Sequence, residues 1–279
     1  MDRRTFVKTA GGAAAAATLP LPNSSFAWDH LDKIGLQLYT VRDQMKGSVE
    51  RTLSQVAQVG YKEVEFANNY FGRPPRAIKQ LLDDNGLSAP AAHISLDALR
   101  GPWNRTLSDA AEIEHKWLVI ASAADSDINS VDAIKRTTGL IHKAAEDAKF
   151  YKIRIGYHNR DAEFREVGGK RIYDHLLELT KPSELDFEMD LYWITKGGGD
   201  PLAYWKRWPG RFPIVHVKDA GPAPTYAMED VGKGTIKWAE LFAHRKEAGI
   251  KHYFVEHDQP ADPMASAKAS YEYLKALQF

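Results

Sequence analysis

Short apolar runs alternate with amphipathic segments along almost the whole chain. Ile34 to Tyr39, Glu63 to Ala67, Ser88 to Leu96, Trp117 to Ala121, Ile153 to Tyr157, Leu185 to Asp190, Phe212 to Asp219 and His252 to Glu256 each read as a strand. A buried strand shows in sequence as a brief, nearly continuous apolar run bounded by turn signals. Between these runs the apolar residues fall at helical spacing. One such stretch carries Val49, Leu53, Val56 and Val59 up to Gly60; the others are Ala77 to Leu82, Val131 to Lys149, Ile172 to Leu179, Pro201 to Trp208, Trp238 to Ala248 and Met264 to Leu277. Asn85-Gly86 and Gly249 stand where helix C-caps are expected. Eight strands alternating with helices predict a single (β/α)₈ TIM barrel rather than a doubly wound sheet. The segment from Arg100 to Leu107 and the long loop Gly221 to Gly234 fit this pattern least.

The seventh run, Phe-Pro-Ile-Val-His-Val-Lys-Asp, ends abruptly in His216, Lys218 and Asp219. Taken alone, it describes a core histidine satisfied by hydrogen bonds and a solvated Lys-Asp pair. In a barrel, however, the carboxyl ends of strands five to eight bring His158, Asp190, His216 and Glu256 to one face, which is where barrel enzymes place their chemistry. Two imidazoles and two carboxylates form a donor set for a divalent ion such as Mn²⁺, Co²⁺, Zn²⁺ or Mg²⁺, and thiol-free ligation leaves the choice among them open. An ion there would act as a Lewis acid on a carbonyl and an adjacent hydroxyl, favouring an enediolate.

Composition narrows the picture. Lys plus Arg equals Asp plus Glu at 37 each, so no net field favours nucleic acid or an anionic membrane as partner. Cysteine is absent, which removes disulfides, thiolate metal sites and cysteine nucleophiles together. The start, Arg3-Arg4-Thr5-Phe6 followed by an Ala-rich apolar stretch, resembles a twin-arginine export signal. Ser25 and Ala27 offer the small residues of a cleavage site, so residues 1–27 are expected to be a leader and 28–279 the mature barrel, acting in the periplasm or otherwise outside the cytoplasm. Pro20 and Pro22 interrupt the apolar stretch before it reaches the length of a membrane span.

The strand ends Gly156-Tyr157-His158-Asn159, Met189-Asp190-Leu191-Tyr192-Trp193, His216-Val217-Lys218-Asp219 and Val255-Glu256-His257-Asp258, with the opening Gly35-Leu36-Gln37-Leu38-Tyr39-Thr40-Val41-Arg42, resemble the xylose-isomerase-like sugar phosphate isomerase/epimerase family. The resemblance runs over essentially the whole mature chain. It implies a barrel binding one divalent metal through a Glu-Asp-His-Glu set, which maps here onto His158, Asp190, His216 and Glu256. It also implies a sugar or keto-sugar substrate and chemistry that begins by removing a proton next to a carbonyl, with Glu256 as base. Barrels of this type often pair, so a homodimer is compatible with the resemblance.

One position departs from the pattern. The epimerases of the family use two glutamates as paired acid and base, and the first of these is replaced here by His158. An imidazole can bind metal and can move protons near neutral pH, but it breaks the symmetry of a two-glutamate epimerisation. Elimination from a 3-keto-glycoside, which shares the proton abstraction, is therefore an alternative. A barrel that binds carbohydrate without turnover is another. Lys218 is a candidate partner for the enediolate oxygen; His93, Glu65, Trp193 and Glu163 are candidates for substrate contact. Trp103, Tyr192 and Trp238 could stack on a sugar face but fit core or rim packing better. The Gly232-Lys233-Gly234 run lacks the strand-turn-helix setting of a phosphate-binding fingerprint.

Overall fold

A computed structural model describes residues 29–279. The expected leader, 1–27, and its expected cleavage point near Trp28 lie outside the described residues. Eight parallel strands close into a barrel in sequence order: β1 (Gly35–Gln37), β2 (Glu63–Ala67), β3 (Ser88–Ile94), β4 (Trp117–Ile120), β5 (Arg154–His158), β6 (Asp186–Asp190), β7 (Ile214–Val217) and β8 (His252–Val255). Closure comes from β8 pairing with β1, Phe254 opposite Gly35 and Val255 opposite Leu36. The expected single (β/α)₈ barrel is therefore the observed fold.

Side chains on a strand alternate between the barrel interior and the surrounding helices. The outward set, such as Leu36, Val64, Phe66, Leu118, Ile155, Phe187, Val215 and Val255, packs against the helices in one continuous core. The inward set is layered, as expected for a filled barrel. At the amino-terminal end Asp186 accepts from Trp117 Nε1 at 2.7 Å and pairs with Arg154, while His252 Nδ1 lies 2.8 Å from Glu63. Above this lies a small apolar plug of Ala91, Trp117, Val119, Ile214 and Phe254. Gly35 belongs to the same level because a Cβ there would lie 2.4 Å from the Phe254 ring. The layer beyond the plug is almost wholly ionisable.

The helices at Val131–Lys149 and Ile172–Leu179 fall where the periodicity predicts them. Two regions differ. Leu96–Arg100 forms a 3₁₀ turn and Trp103–Ile113 a helix, burying Trp103, Leu107, Ala110 and Ile113 on one face. The segment expected as one helix from Trp238 to Ala248 is two, Trp238–Ala243 and Arg245–Ala248, with the His244 N–H bonding to the Leu241 carbonyl three residues back. Among the described residues, no helix is long and apolar enough to cross a membrane.

The long loop after β7 is held tightly. Asp219, fully buried, accepts from the N–H groups of Ala220 and Ile236 through Oδ1, at 2.9 and 3.2 Å. Its Oδ2 accepts from the Gly232 N–H at 2.8 Å and from Trp238 Nε1 at 2.9 Å. Further out, Tyr192 donates to the Tyr226 carbonyl and the Val231 N–H reaches Ser270. Gly234 is required by this arrangement, since a Cβ would sit 2.2 Å from Asp219 Oδ1.

Candidate metal centre

Register brings the ionisable layer together. His216 is level with Asp190 on β6, and Glu188, two residues earlier, is level with His158 on β5. Glu256 follows β8 directly, its N–H bonded to the Val217 carbonyl. One ligand atom from each of His158, Asp190, His216 and Glu256 lies within 4.8 Å of the others, so the four residues expected to converge do so. Asp190 Oδ2 is 3.2 Å from His158 Nε2 and 3.7 Å from His216 Nδ1, and Glu256 Oε2 is 2.9 Å from His216 Nδ1. All four are buried. Asp190 is fixed from behind by its other oxygen, which caps the helix Leu191–Lys196 by accepting from the N–H groups of Tyr192 and Trp193.

The protonation pattern tests whether this set suits a cation. His158 Nδ1 lies 3.0 Å from the Ala121 carbonyl, an acceptor only, so that nitrogen carries the hydrogen. Burial, outweighing the pull of Asp190, lowers the pKa of His158 and keeps the ring neutral. Nε2 then presents a lone pair to the Asp190 carboxylate, an arrangement that a cation between them resolves. His216 differs in charge. Its Nε2 lies 2.7 Å from Glu65 Oε2, whereas Nδ1, 2.9 Å from Glu256, is not in hydrogen-bonding geometry with it. Burial disfavours a charged His216, but Glu188 and Glu256 outweigh burial and raise its pKa well above the ordinary value. Proton and metal ion therefore compete for Nδ1. The residues present fit a divalent ion.

Lys218 is buried in the same layer. Its Nζ stands 2.6 Å from Glu256 Oε2, 3.1 Å from Asp190 Oδ2 and 2.9 Å from Asp258 Oδ1. Burial alone would lower its pKa, yet these carboxylates more than offset that and raise it, so the side chain keeps its proton. Reciprocally, Lys218 and the histidines overcome the cost of burial and hold both Asp190 and Glu256 well below the usual carboxylate range.

The remaining expected residues are placed as follows. Glu65 is fully buried, bonded to His216 and to Gln37 Nε2, the latter at 2.7 Å. Burial and the adjacent Glu188 push its pKa up to about 8. His93 Nε2 is 2.6 Å from Glu188, and its ring stacks on His216 with centroids 5.1 Å apart. His93 also lines a cavity of about 570 Å³ at the carboxyl ends of β2 to β4, with Asn68, Asn69, Arg73 and Ser95. Trp193 is half-buried, its ring 5.8 Å from Lys218 Nζ. Glu163 accepts from the Tyr157 hydroxyl and the Arg160 N–H, away from the cluster. Trp103 donates to the Ala144 carbonyl and Trp238 to Asp219, both within the core. Sequence reasoning assigned no role to Gln37, Glu188 or Asp258. The period-2 rule was the available signal, because Glu188 precedes Asp190 by two and Asp258 follows Glu256 by two.

Comparison with known proteins decides the family. Residues 53–277 match the xylose isomerase-like TIM barrel family. The chain belongs to that family. Residues 1–20 match the twin-arginine translocation signal sequence, which implies export. Two structures of sugar phosphate isomerase/epimerase from Parabacteroides distasonis ATCC 8503 superpose with TM-scores of 0.78 and 0.77, at 24% and 27% identity, covering 88% of this chain and 93% and 98% of theirs. An IolI structure with a zinc atom bound superposes at 0.69 with 13% identity, over 88% of this chain and 98% of that one, a likeness of fold alone. Inosose dehydratase from Lacticaseibacillus casei is 25% identical over 191 residues, 61% of this chain and 63% of that protein. The chain thus matches less than two thirds of the length of this curated relative.

Proposed function

We propose that the mature chain is an exported, metal-dependent enzyme that acts on a sugar or keto-sugar by removing a proton next to a carbonyl. The observation that carries this reading is the convergence of His158, Asp190, His216 and Glu256, with the lone pair of a neutral His158 turned towards the Asp190 carboxylate. A divalent ion held by these four would supply Lewis-acid polarisation of the substrate carbonyl. Lys218, protonated and 2.6 Å from Glu256, is placed to donate to an oxygen as it gains negative charge. Glu256 accepts the proton; because Lys218 and His216 hold it ionised, it is a weak base and suits a C–H already acidified by an adjacent carbonyl.

The pair across the substrate is unequal: an ionised Glu256 faces a neutral His158. Symmetric epimerisation needs two equivalent bases, whereas β-elimination needs one base and a separate acid. The inequality therefore favours a lyase as the second reading. In that reading Glu256 takes the α-proton, the C–H electron pair forms the enediolate, and its collapse expels the β-substituent, which leaves with a proton from a neighbouring donor. Trp193 is assigned to the substrate side, whereas Glu65, buried behind His216, and His93, bonded to Glu188, support the site from below.

Metal analysis of the purified mature protein should find a bound divalent ion that is lost in Asp190→Asn. Keto-sugars incubated in deuterated water should exchange the hydrogen next to the ketone, with the rate falling by about 10² or more in Glu256→Gln. Metal without exchange on any keto-sugar would replace the enzyme by a carbohydrate-binding barrel. Absence of any ion under chelator-free conditions would end the reading altogether.

A further inference from the structure

His216 faces two clusters, one on each ring nitrogen. Its Nδ1 points to Asp190 and Glu256, as described; its Nε2 points deeper, into a second group made of Glu65, His93 and Glu188. Four atoms of this deeper group form a closed ring. Glu65 Oε2 to His216 Nε2 is 2.7 Å, His216 Nε2 to Glu188 Oε2 is 3.3 Å, Glu188 Oε2 to His93 Nε2 is 2.6 Å, and His93 Nε2 to Glu65 Oε2 is 3.6 Å. Neighbouring donors around a tetrahedral zinc-sized ion stand about 3.3 Å apart; the 3.3 and 3.6 Å edges already fit, and the two shortest, 2.6 and 2.7 Å, widen as an ion takes the place of the hydrogen bonds.

Charge points the same way. In the outer cluster both carboxylates already touch the Lys218 ammonium. In the deeper one, Glu65 and Glu188 are both 0% exposed, and among the described residues only His93 and His216 pair with them, with no lysine or arginine. Each also has an oxygen, Oε1, with no hydrogen-bond partner. Buried polar atoms are almost always satisfied, and two orphaned carboxylate oxygens in one layer call for a missing group. The supporting shell is in place, since Gln37 donates to Glu65 Oε2 and so orients it. His93 also lines the cavity beyond β2, β3 and β4, so one ligand of the group borders open space.

We propose that Glu65, His93, Glu188 and His216 form a second binding site for a borderline divalent cation, with His216, its ring protons released to solvent, bridging the two sites as an imidazolate. The two-imidazole, two-carboxylate set suits Zn²⁺, Co²⁺ or Mn²⁺ rather than a soft ion. Asp190 and Glu256 contribute nothing to it, so the two sites share His216 alone.

Cobalt(II) titration of the chelator-stripped mature protein, followed by its visible absorption and by metal analysis after gel filtration, tests this. Two equivalents are expected for the native chain, and one each for Glu188→Gln and Asp190→Asn. One equivalent retained in Glu188→Gln but lost in Asp190→Asn overturns the deeper site and leaves the proposed function standing. One equivalent lost in Glu188→Gln but retained in Asp190→Asn supports the deeper site and removes the outer one. Should Glu188→Gln not fold, His93→Gln takes its place, as that side chain sits at the cavity edge. In the doubly loaded native chain, electron paramagnetic resonance should show the two cobalt ions coupled through the imidazole; two uncoupled ions would overturn the bridge.

Discussion

Replacing Lys218 by methionine keeps the unbranched stem, one atom shorter, and removes the charge. The ammonium is 2% exposed and touches three carboxylates, of which only Asp258 reaches solvent appreciably. Among the described residues, its loss leaves Asp190 and Glu256 buried with His216 as their only basic neighbour within salt-bridge distance besides His158 on Asp190. Breaking a buried pair by removing one partner costs about 3–5 kcal/mol, because the stranded charge keeps its desolvation penalty. For a domain of this size each kcal/mol is worth about 2–4 °C in melting temperature. Lys218→Met should therefore melt roughly 10 °C lower in a calorimetric scan of the chelator-treated mature protein. A bound divalent ion restores positive charge to the same oxygens, so the deficit should shrink when the scan is repeated with zinc or cobalt. Two results would refute the reasoning. A shift of less than about 3 °C would mean that the ammonium is effectively solvated, as in a surface pair. An identical deficit with and without metal would mean that lysine and ion do not serve the same carboxylates.

Other expectations concern protons and the loop. Asp190 and Glu256 have depressed pKa values, so their stabilising contribution is present above the unfolded carboxylate range near 4 and is lost as pH falls through their folded values. Glu65 has the opposite sign: raised to about 8, it keeps a proton that the unfolded chain has released. The ion-free protein should then lose stability as pH rises from about 4.5 to about 8, and Glu65→Gln should flatten that part of a urea-denaturation series. Because His216 holds a proton that an ion must displace, apparent metal affinity by competitive chelation should fall with falling pH, by up to about tenfold per unit; a flat profile would exclude His216 as ligand. Gly234→Ala drives a methyl into Asp219 and should lower the melting temperature by several degrees while leaving far-ultraviolet circular dichroism unchanged at 25 °C.

The barrel was legible because its strands announce themselves twice, by apolar runs and by the helices between them. Trp103–Ile113 escaped, although Trp103, Leu107, Ala110 and Ile113 fall on one helical face, because Gly101-Pro102 and the polar Asn104-Arg105 break the apolar signal at its start. The four outer residues were readable for a topological reason: strand ends in a barrel meet. Glu65 and His93 were singled out too, but a sequence has no depth coordinate. It does not tell a side chain at the mouth from one a layer down. That layer depends on relative strand register, which only the paired hydrogen bonds define. Lys218 illustrates the same limit, since a lysine at a strand end is normally solvated and only the three surrounding carboxylates account for its burial.

The Asp219 clamp has a thermodynamic consequence for binding. A loop that orders only around its ligand spends part of the interaction energy on lost chain entropy, at each binding event. Here four donors on one carboxylate, with the Tyr192 and Ser270 contacts, have already met that cost during folding. Ligand capture at the β7 side should accordingly resemble docking onto a rigid wall, with a small heat-capacity change for the area covered.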